Sequence, residues 1–263
     1  MPLSKEECKG IENVLKNALR HKFANYNPEP ALMPFHTRLL GKDRLALFSF
    51  IHSLNTNFGV SIFEPVALEL ATSNFKAARA HVEAGDSISE GAQFQIQKIM
   101  DDLSTAVSTP NKLDATEAIR KVCRKGAMRK VKTTKVDVML EDRKGELFLF
   151  DIKTAKPNAG GFKEFKRTLL EWTAVLLASK PNAKVNAIIA IPYNPYEPQP
   201  YNRWTMRGML DLENELKVAD EFWDFIGGKG AYQELLGCFE RVGVELRPEI
   251  DQYFSRFKKL SES

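Results

Sequence analysis

Apolar residues in the first half of the chain recur at helical spacing. Ser4 and Glu7 stand at capping-box separation, and Ile11, Val14, Leu15, Ala18 and Leu19 then repeat at intervals of three and four. Pro28, Pro30 and Pro34 break the chain before a second apolar helix over residues 42–54. A third starts near Glu64-Pro65, where proline suits a first helical turn, and runs to about residue 80. Two further helical patterns cover residues 89–107 and 113–124.

The period then changes. Residues 133–140 alternate and are rich in Thr, Val and Met, Glu141 to Gly145 forms a polar turn, and residues 146–154 make the second arm of a hairpin. Gly160-Gly161 precedes a long amphipathic helix over 162–179, and the almost wholly apolar stretch 185–191 reads as a strand covered on both faces. Strand, helix, strand in that order implies a crossover and a parallel pairing. A Pro/Tyr-rich loop follows over 192–201, and the remainder reads as helical. With no repeat or low-complexity linker, one domain is the simpler organisation: a helical part over 1–125, a sheet core over 130–192, and a loop-and-helix part over 193–263.

Composition changes this picture little. Hydrophobic content of 43% and charged content of 27% are ordinary for a globular protein. No run of eighteen apolar residues exists to span a membrane, and the first residues lack an apolar signal core, which together predict a cytoplasmic protein. Cys8, Cys123 and Cys238 are odd in number and lack metal-ligand spacing. His21, His36, His52 and His81 fall in unrelated segments, so neither a zinc site nor serine- or cysteine-type hydrolysis has support. Gly227-Gly228-Lys229-Gly230 lacks the spacing of a phosphate loop and reads as a C-cap and turn.

Charge distribution says more than the net charge of +4. From Arg120 to Lys135, eight of sixteen positions are Lys or Arg and none is acidic. Such a block is either a solvated surface or one that faces a polyanion.

The hairpin carries the candidate chemistry. Residues two apart on a strand project from one face, so Asp151 and Lys153 point together, and the short turn brings Asp137 alongside. Val136, Val138, Leu149, Phe150 and Ile152 make the surroundings apolar, where two carboxylates repel and desolvation raises their energy. A hard divalent cation resolves that conflict: magnesium takes a few carboxylate oxygens and leaves positions for water and substrate phosphate. The Ile152 carbonyl, between the two side chains, is a further candidate ligand. The bland alternative is an ordinary hairpin with Asp151 and Lys153 as a surface ion pair.

Asp137 followed by Asp151-Ile152-Lys153 resembles the metal-binding core of the PD-(D/E)xK nucleases, with Val-Asp standing where that family often has Pro-Asp. The likeness covers most of the chain. Ser61 to Ala67, residues 150–172, Tyr196-Glu197-Pro198 and Tyr201 to Thr205 resemble type II restriction endonucleases, in particular those that cut interrupted palindromes of the GGNCC kind. The resemblance implies an α/β fold with a restriction-endonuclease-like core, a central mixed sheet flanked by helices, and helical N- and C-terminal regions. It implies hydrolysis of phosphodiester bonds in double-stranded DNA with Mg2+, for which Mn2+ substitutes, by a homodimer on a palindromic site. A cognate DNA methyltransferase would be its partner in a restriction-modification system, without a stable complex. Asp137 and Asp151 would bind metal and Lys153 would be the catalytic lysine. Many members add a glutamate from an earlier helix; Glu64 is the candidate, and Glu69, which faces another side of that helix, is the alternative.

Phosphate contacts are expected from Lys130, Lys132, Lys135, Lys156, Lys163, Lys166 and Arg167, and base contacts from Asn194, Asn202, Arg203 and Arg207 on the segment after the buried strand. Alternatively Trp204 packs in the core while both arginines pair with Asp211 or Glu215. Two other functions remain open: a repair or junction nuclease of the same fold, and a non-catalytic DNA-binding protein on that scaffold.

Overall fold

The computed structural model describes residues 3–26, 33–153, 155–157, 161–202 and 206–258. Its first elements are α1 (Lys5–Asn25), α2 (Pro34–Leu40), α3 (Lys42–Phe58) and α4 (Glu64–Asn74). The capping box closes as the spacing requires: Ser4 Oγ accepts from Glu7 N at 3.2 Å and Glu7 Oε2 accepts from Ser4 N at 2.7 Å. Helices α3 and α4 are joined through a π-helical turn, Gly59–Phe63, and the Glu64 N–H bonds back to the Gly59 carbonyl. Pro65 explains the widening. A proline inside a helix lacks one N–H and crowds the carbonyl four residues earlier, and an expanded turn takes up both. The helix start expected at Glu64-Pro65 is therefore an internal bulge.

The helical pattern that ran to residue 80 ends sooner. After Asn74 the chain extends into β1 (Ala77–Val82), whose alanines carry no strong preference of their own. Next come β2 (Ser87–Ser89), α5 (Glu90–Ser104), α6 (Lys112–Arg120), β3 (Met128–Lys130), β4 (Val136–Glu141) and β5 (Leu147–Ile152). Helix α7 (Phe162–Ser179) and β6 (Val185–Ile191) have the expected bounds, and β7 (Leu216–Val218) is a strand inside a region read as helical. Helices α8 (Asp220–Gly227), α9 (Ala231–Glu245) and α10 (Arg247–Lys258) complete the chain.

The sheet is five-stranded and mixed, in the order β1-β4-β5-β6-β7. Strands β1/β4 and β4/β5 are antiparallel, whereas β5/β6 and β6/β7 are parallel. Helices flank it on both faces. Phe148 and Phe150 turn toward α8, where they meet Phe222 and Phe225 at centroid separations of 5.0–5.9 Å; such edge contacts add about 1 kcal/mol per pair to area burial. By alternation Leu149, Asp151 and Lys153 turn to the other face, where Lys153 lies over the Phe165 ring of α7. Trp172, fully buried on α7, donates to the Thr134 carbonyl at 2.7 Å and ties that helix to the approach of β4.

Part of the basic block serves the fold. Arg120 donates to the Ala183 and Pro181 carbonyls, and Arg124 donates to those of Ala178 and Ser179 at the C-terminal end of α7. Cations are favoured there by the helix dipole. No helix among the described residues is long and apolar enough to cross a membrane.

Candidate active site

The pairing of β4 with β5 runs Val138↔Phe150, Met139↔Leu149, so its continuation sets Asp137 across from Asp151. Asp137 Oδ2 accepts from the Ile152 N–H at 2.8 Å, which holds the carboxylate at the junction of the two strands. Asp151, 4% exposed, pairs through Oδ1 with Lys153 Nζ at 2.5 Å. The two acids and the ammonium thus meet at one end of the sheet, as strand period and hairpin register require.

Helix α4 packs on β1 and β4 and carries Glu64 to the same place. Glu64 is 2% exposed, and its carboxylate lies within 4.8 Å of donor atoms on Asp137 and His81. Burial first, and the Asp137 charge second, push the Glu64 carboxyl up to about 7. Burial followed by the Asp151 charge raises Asp137 to about 6, against the Ile152 N–H and Lys153, which favour its ionised form. Glu64 Oε2 sits 2.9 Å from His81 Nε2 but makes no hydrogen bond of regular geometry. Desolvated, mutually repelling carboxylates with an oxygen left over suit a divalent cation. Glu69 is elsewhere: its carboxylate fills the space beside Gly10 of α1 that a Cβ there would occupy.

Both upward shifts have a consequence in metal-free protein. The folded chain holds these protons more tightly than the unfolded chain. Their stabilising effect is full below the ordinary carboxyl range and is lost as pH rises through about 6 for Asp137 and about 7 for Glu64. The thermal midpoint in chelator is expected to fall between pH 5 and pH 8, and Glu64→Gln to flatten that fall and raise the midpoint at pH 8. Scanning fluorimetry across this range checks it; a midpoint that climbs with pH equally in both proteins contradicts it.

A cleft of about 850 Å3 opens beside these groups. Glu64, Asp137, Ile152, Lys153 and Lys156 line its polar side, with Tyr193 and Pro195 from the loop after β6 at its rim. Trp223 of α8 and Tyr232, Leu235 and Phe239 of α9 form an apolar wall.

Among the described cations expected at phosphates, Lys156 is the one that shares this cleft with Lys153, its ammonium 5.3 Å from the Tyr196 ring centre. Lys130, Lys132, Lys135 and Lys163 are exposed on the approach to β4 and on the first turn of α7. Arg167 donates to Gln97 at 2.8 Å. Lys166 corrects the expectation: it is 1% exposed and bonds both Glu215 oxygens at 2.6 and 2.7 Å, which removes it from the phosphate contacts. An amphipathic helix presents such a lysine to solvent unless a distant acid is folded against it. Asn194 is engaged within its own loop, donating to the Gln199 carbonyl and accepting from Tyr196 N. Arg207 is exposed and donates to Asn202 Oδ1 at 3.3 Å rather than to Asp211 or Glu215. Arg203 and Trp204 lie outside the described residues.

Sequence reasoning set His81 aside because the four histidines fall in unrelated segments, and the strand that carries it, Ala77–Val82, overlaps a stretch that reads as helical. The one available signal was a histidine seventeen residues after Glu64 and shortly before a turn-forming Gly85-Asp86.

A family profile described as "Type II restriction endonuclease, HinfI" matches residues 3–243. Type II restriction enzyme MjaII of Methanocaldococcus jannaschii is 27% identical over 258 residues, covering 87% of this chain and 68% of its own length. Type II restriction enzymes HgiEI and HgiCII of Herpetosiphon aurantiacus are each 26% identical over 225 residues, covering 84% and 83% of this chain and 81% and 80% of their own lengths. The chain therefore belongs to the HinfI family of type II restriction endonucleases, enzymes that cleave double-stranded DNA at specific sites.

Proposed function

We propose that this endonuclease hydrolyses DNA with Mg2+, or Mn2+ in its place, at a short GGNCC-like palindrome, using Asp137, Asp151, Lys153 and Glu64. The observation that carries the reading is the convergence of three acids and one ammonium at one sheet end, with a buried Glu64 oxygen free of hydrogen bonds. Asp137, Asp151 and the Ile152 carbonyl would hold the cation, with Glu64 beside them. When bound, a divalent ion supplies Lewis-acid polarisation of the phosphate and acidifies water. Asp151 pairs with Lys153 at the cleft, where the ammonium would offset negative charge that develops on the phosphate. Lys156 at the rim, with the exposed Lys130, Lys132, Lys135 and Lys163, takes the backbone on either side; Arg207, Asn202 and Arg203 read bases beyond β6.

The GGNCC-like target rests on the likeness of the strings around Glu64-Pro65 and Tyr201 to that group. A palindrome in turn favours a two-fold homodimer, with one nuclease domain per chain and a cognate methyltransferase acting on the same site in the cytoplasm. Family membership sets aside the repair-nuclease and non-catalytic alternatives. Incubation with mapped plasmid DNA and Mg2+ is expected to give discrete fragments, none in chelator, with ends that map to GGNCC-type sites. Discrete fragments whose ends map elsewhere would overturn the target, and cleavage that persists in chelator would overturn the metal.

A further inference from the structure

His81 occupies a position that no structural demand of the strand explains. Its φ is +54°, a left-handed conformation uncommon for a residue with a side chain. The other described non-glycine residues at positive φ, Ala106 and Ala219, flank helix ends, where the chain turns. His81 instead lies within β1, and the β1/β4 pairing on either side of it, Ala80↔Val138 and Val82↔Val136, sets it opposite Asp137. Strain of this kind persists where surrounding structure enforces it, and it clusters at functional sites. The kink brings the imidazole Nε2 to 2.9 Å from the buried Glu64 oxygen that has no hydrogen bond, while nearly half of the ring remains open to solvent. Glu64, His81 and Asp137 each offer one donor atom within 4.8 Å of the others.

We propose that His81 is a nitrogen ligand of the active-site cation, making a mixed nitrogen–oxygen site with Glu64 and Asp137. This rests on the reading of the carboxylates as the metal site given above. A neutral imidazole is a borderline donor that suits Mn2+ and later transition ions better than Mg2+, whereas carboxylates serve all of them. The nitrogen therefore tilts the site toward Mn2+ relative to an all-oxygen set.

The test is electron spin echo envelope modulation of Mn2+ added to the full chain, with the bound fraction titrated by continuous-wave spectra. His81→Asn is the informative variant, because asparagine accepts positive φ and lacks the imidazole. The wild-type chain is expected to show imidazole 14N modulation that His81→Asn abolishes, with Mn2+ binding weakened by at least about tenfold. Asp137→Asn is expected to lose the bound ion. Binding that depends on Asp137 but shows no nitrogen modulation, or modulation that survives in His81→Asn, overturns the role of His81 and leaves the carboxylate site standing. No bound Mn2+, or binding indifferent to Asp137→Asn, overturns both.

Discussion

Asp151→Asn is expected to lower the single-turnover rate of DNA cleavage by about a thousandfold or more, with fold and DNA binding retained. The carboxylate sits on β5, hydrogen-bonded between β4 and β6 in the middle of the sheet, and is 4% exposed. Asparagine keeps its shape and removes its charge. The cation then loses an anionic ligand, and Lys153 loses the acid that holds its ammonium 2.5 Å away. Metal-assisted stabilisation of the transition state amounts to several kcal/mol, and about 4 kcal/mol corresponds to about three decades of rate. Stability moves little by comparison. Asp137 is relieved of a repelling neighbour, and Lys153, 28% exposed, can be hydrated in place of its partner. Circular dichroism and the thermal midpoint test the fold, and a plasmid nicking assay with excess enzyme reads the rate. Discrete cutting at near the wild-type rate would sink the proposed site.

Lys166→Met is expected to cost about 3–5 kcal/mol of stability, because it breaks a buried ion pair away from the cleft. Lys166 and Glu215 are 1% and 3% exposed, and both carboxylate oxygens accept from the one ammonium. Glu215 Oε2 also accepts from Asp211 N at 2.9 Å, so the acid cannot swing away to water without undoing that turn. Removing the lysine strands a buried charge. At about 2–4 °C per kcal/mol for a chain near this size, the midpoint should drop by roughly 10 °C. The double variant Lys166→Met/Glu215→Leu should recover most of the loss, because the stranded carboxylate is gone as well; the Asp211 N–H, left without its acceptor, costs about 1–3 kcal/mol of the difference, and buried Lys112 loses the support that Glu215 gives its charged form. A midpoint within a degree or two of wild type in Lys166→Met would refute the buried pair and return this lysine to the candidate DNA contacts.

The same pair illustrates how far residue pattern reaches. Helix α7 and strand β6 have the bounds that their periodicity implies, because an eighteen-residue amphipathic run and a seven-residue apolar run each admit one reading. Yet Lys166 lies on that same helix, at a position whose pattern predicts a phosphate contact. Its partner is 49 residues further on, in a segment that read as helical and contains β7. Strand β1 failed for a related reason. Ala77, Ala78 and Ala80 suit a helix as well as a half-exposed edge strand, and the pairing that decides the matter is with residues 136–141. His81 was lost with it.

The meeting of Asp137, Asp151 and Lys153 was legible because everything that assembles them is local: a strand period of two and a five-residue turn in an apolar setting. Family resemblance named Glu64 and Glu69 as alternatives, and only the packing of α4 separates them, sending one to Asp137 and the other against Gly10. The widened turn at Gly59–Phe63, the kink at His81 and the burial of Lys166 were likewise decided in three dimensions. Backbone periodicity records which face of an element a side chain shares. It does not record which distant charge or carbonyl is folded against that face, and burial and pairing energies depend on that neighbour.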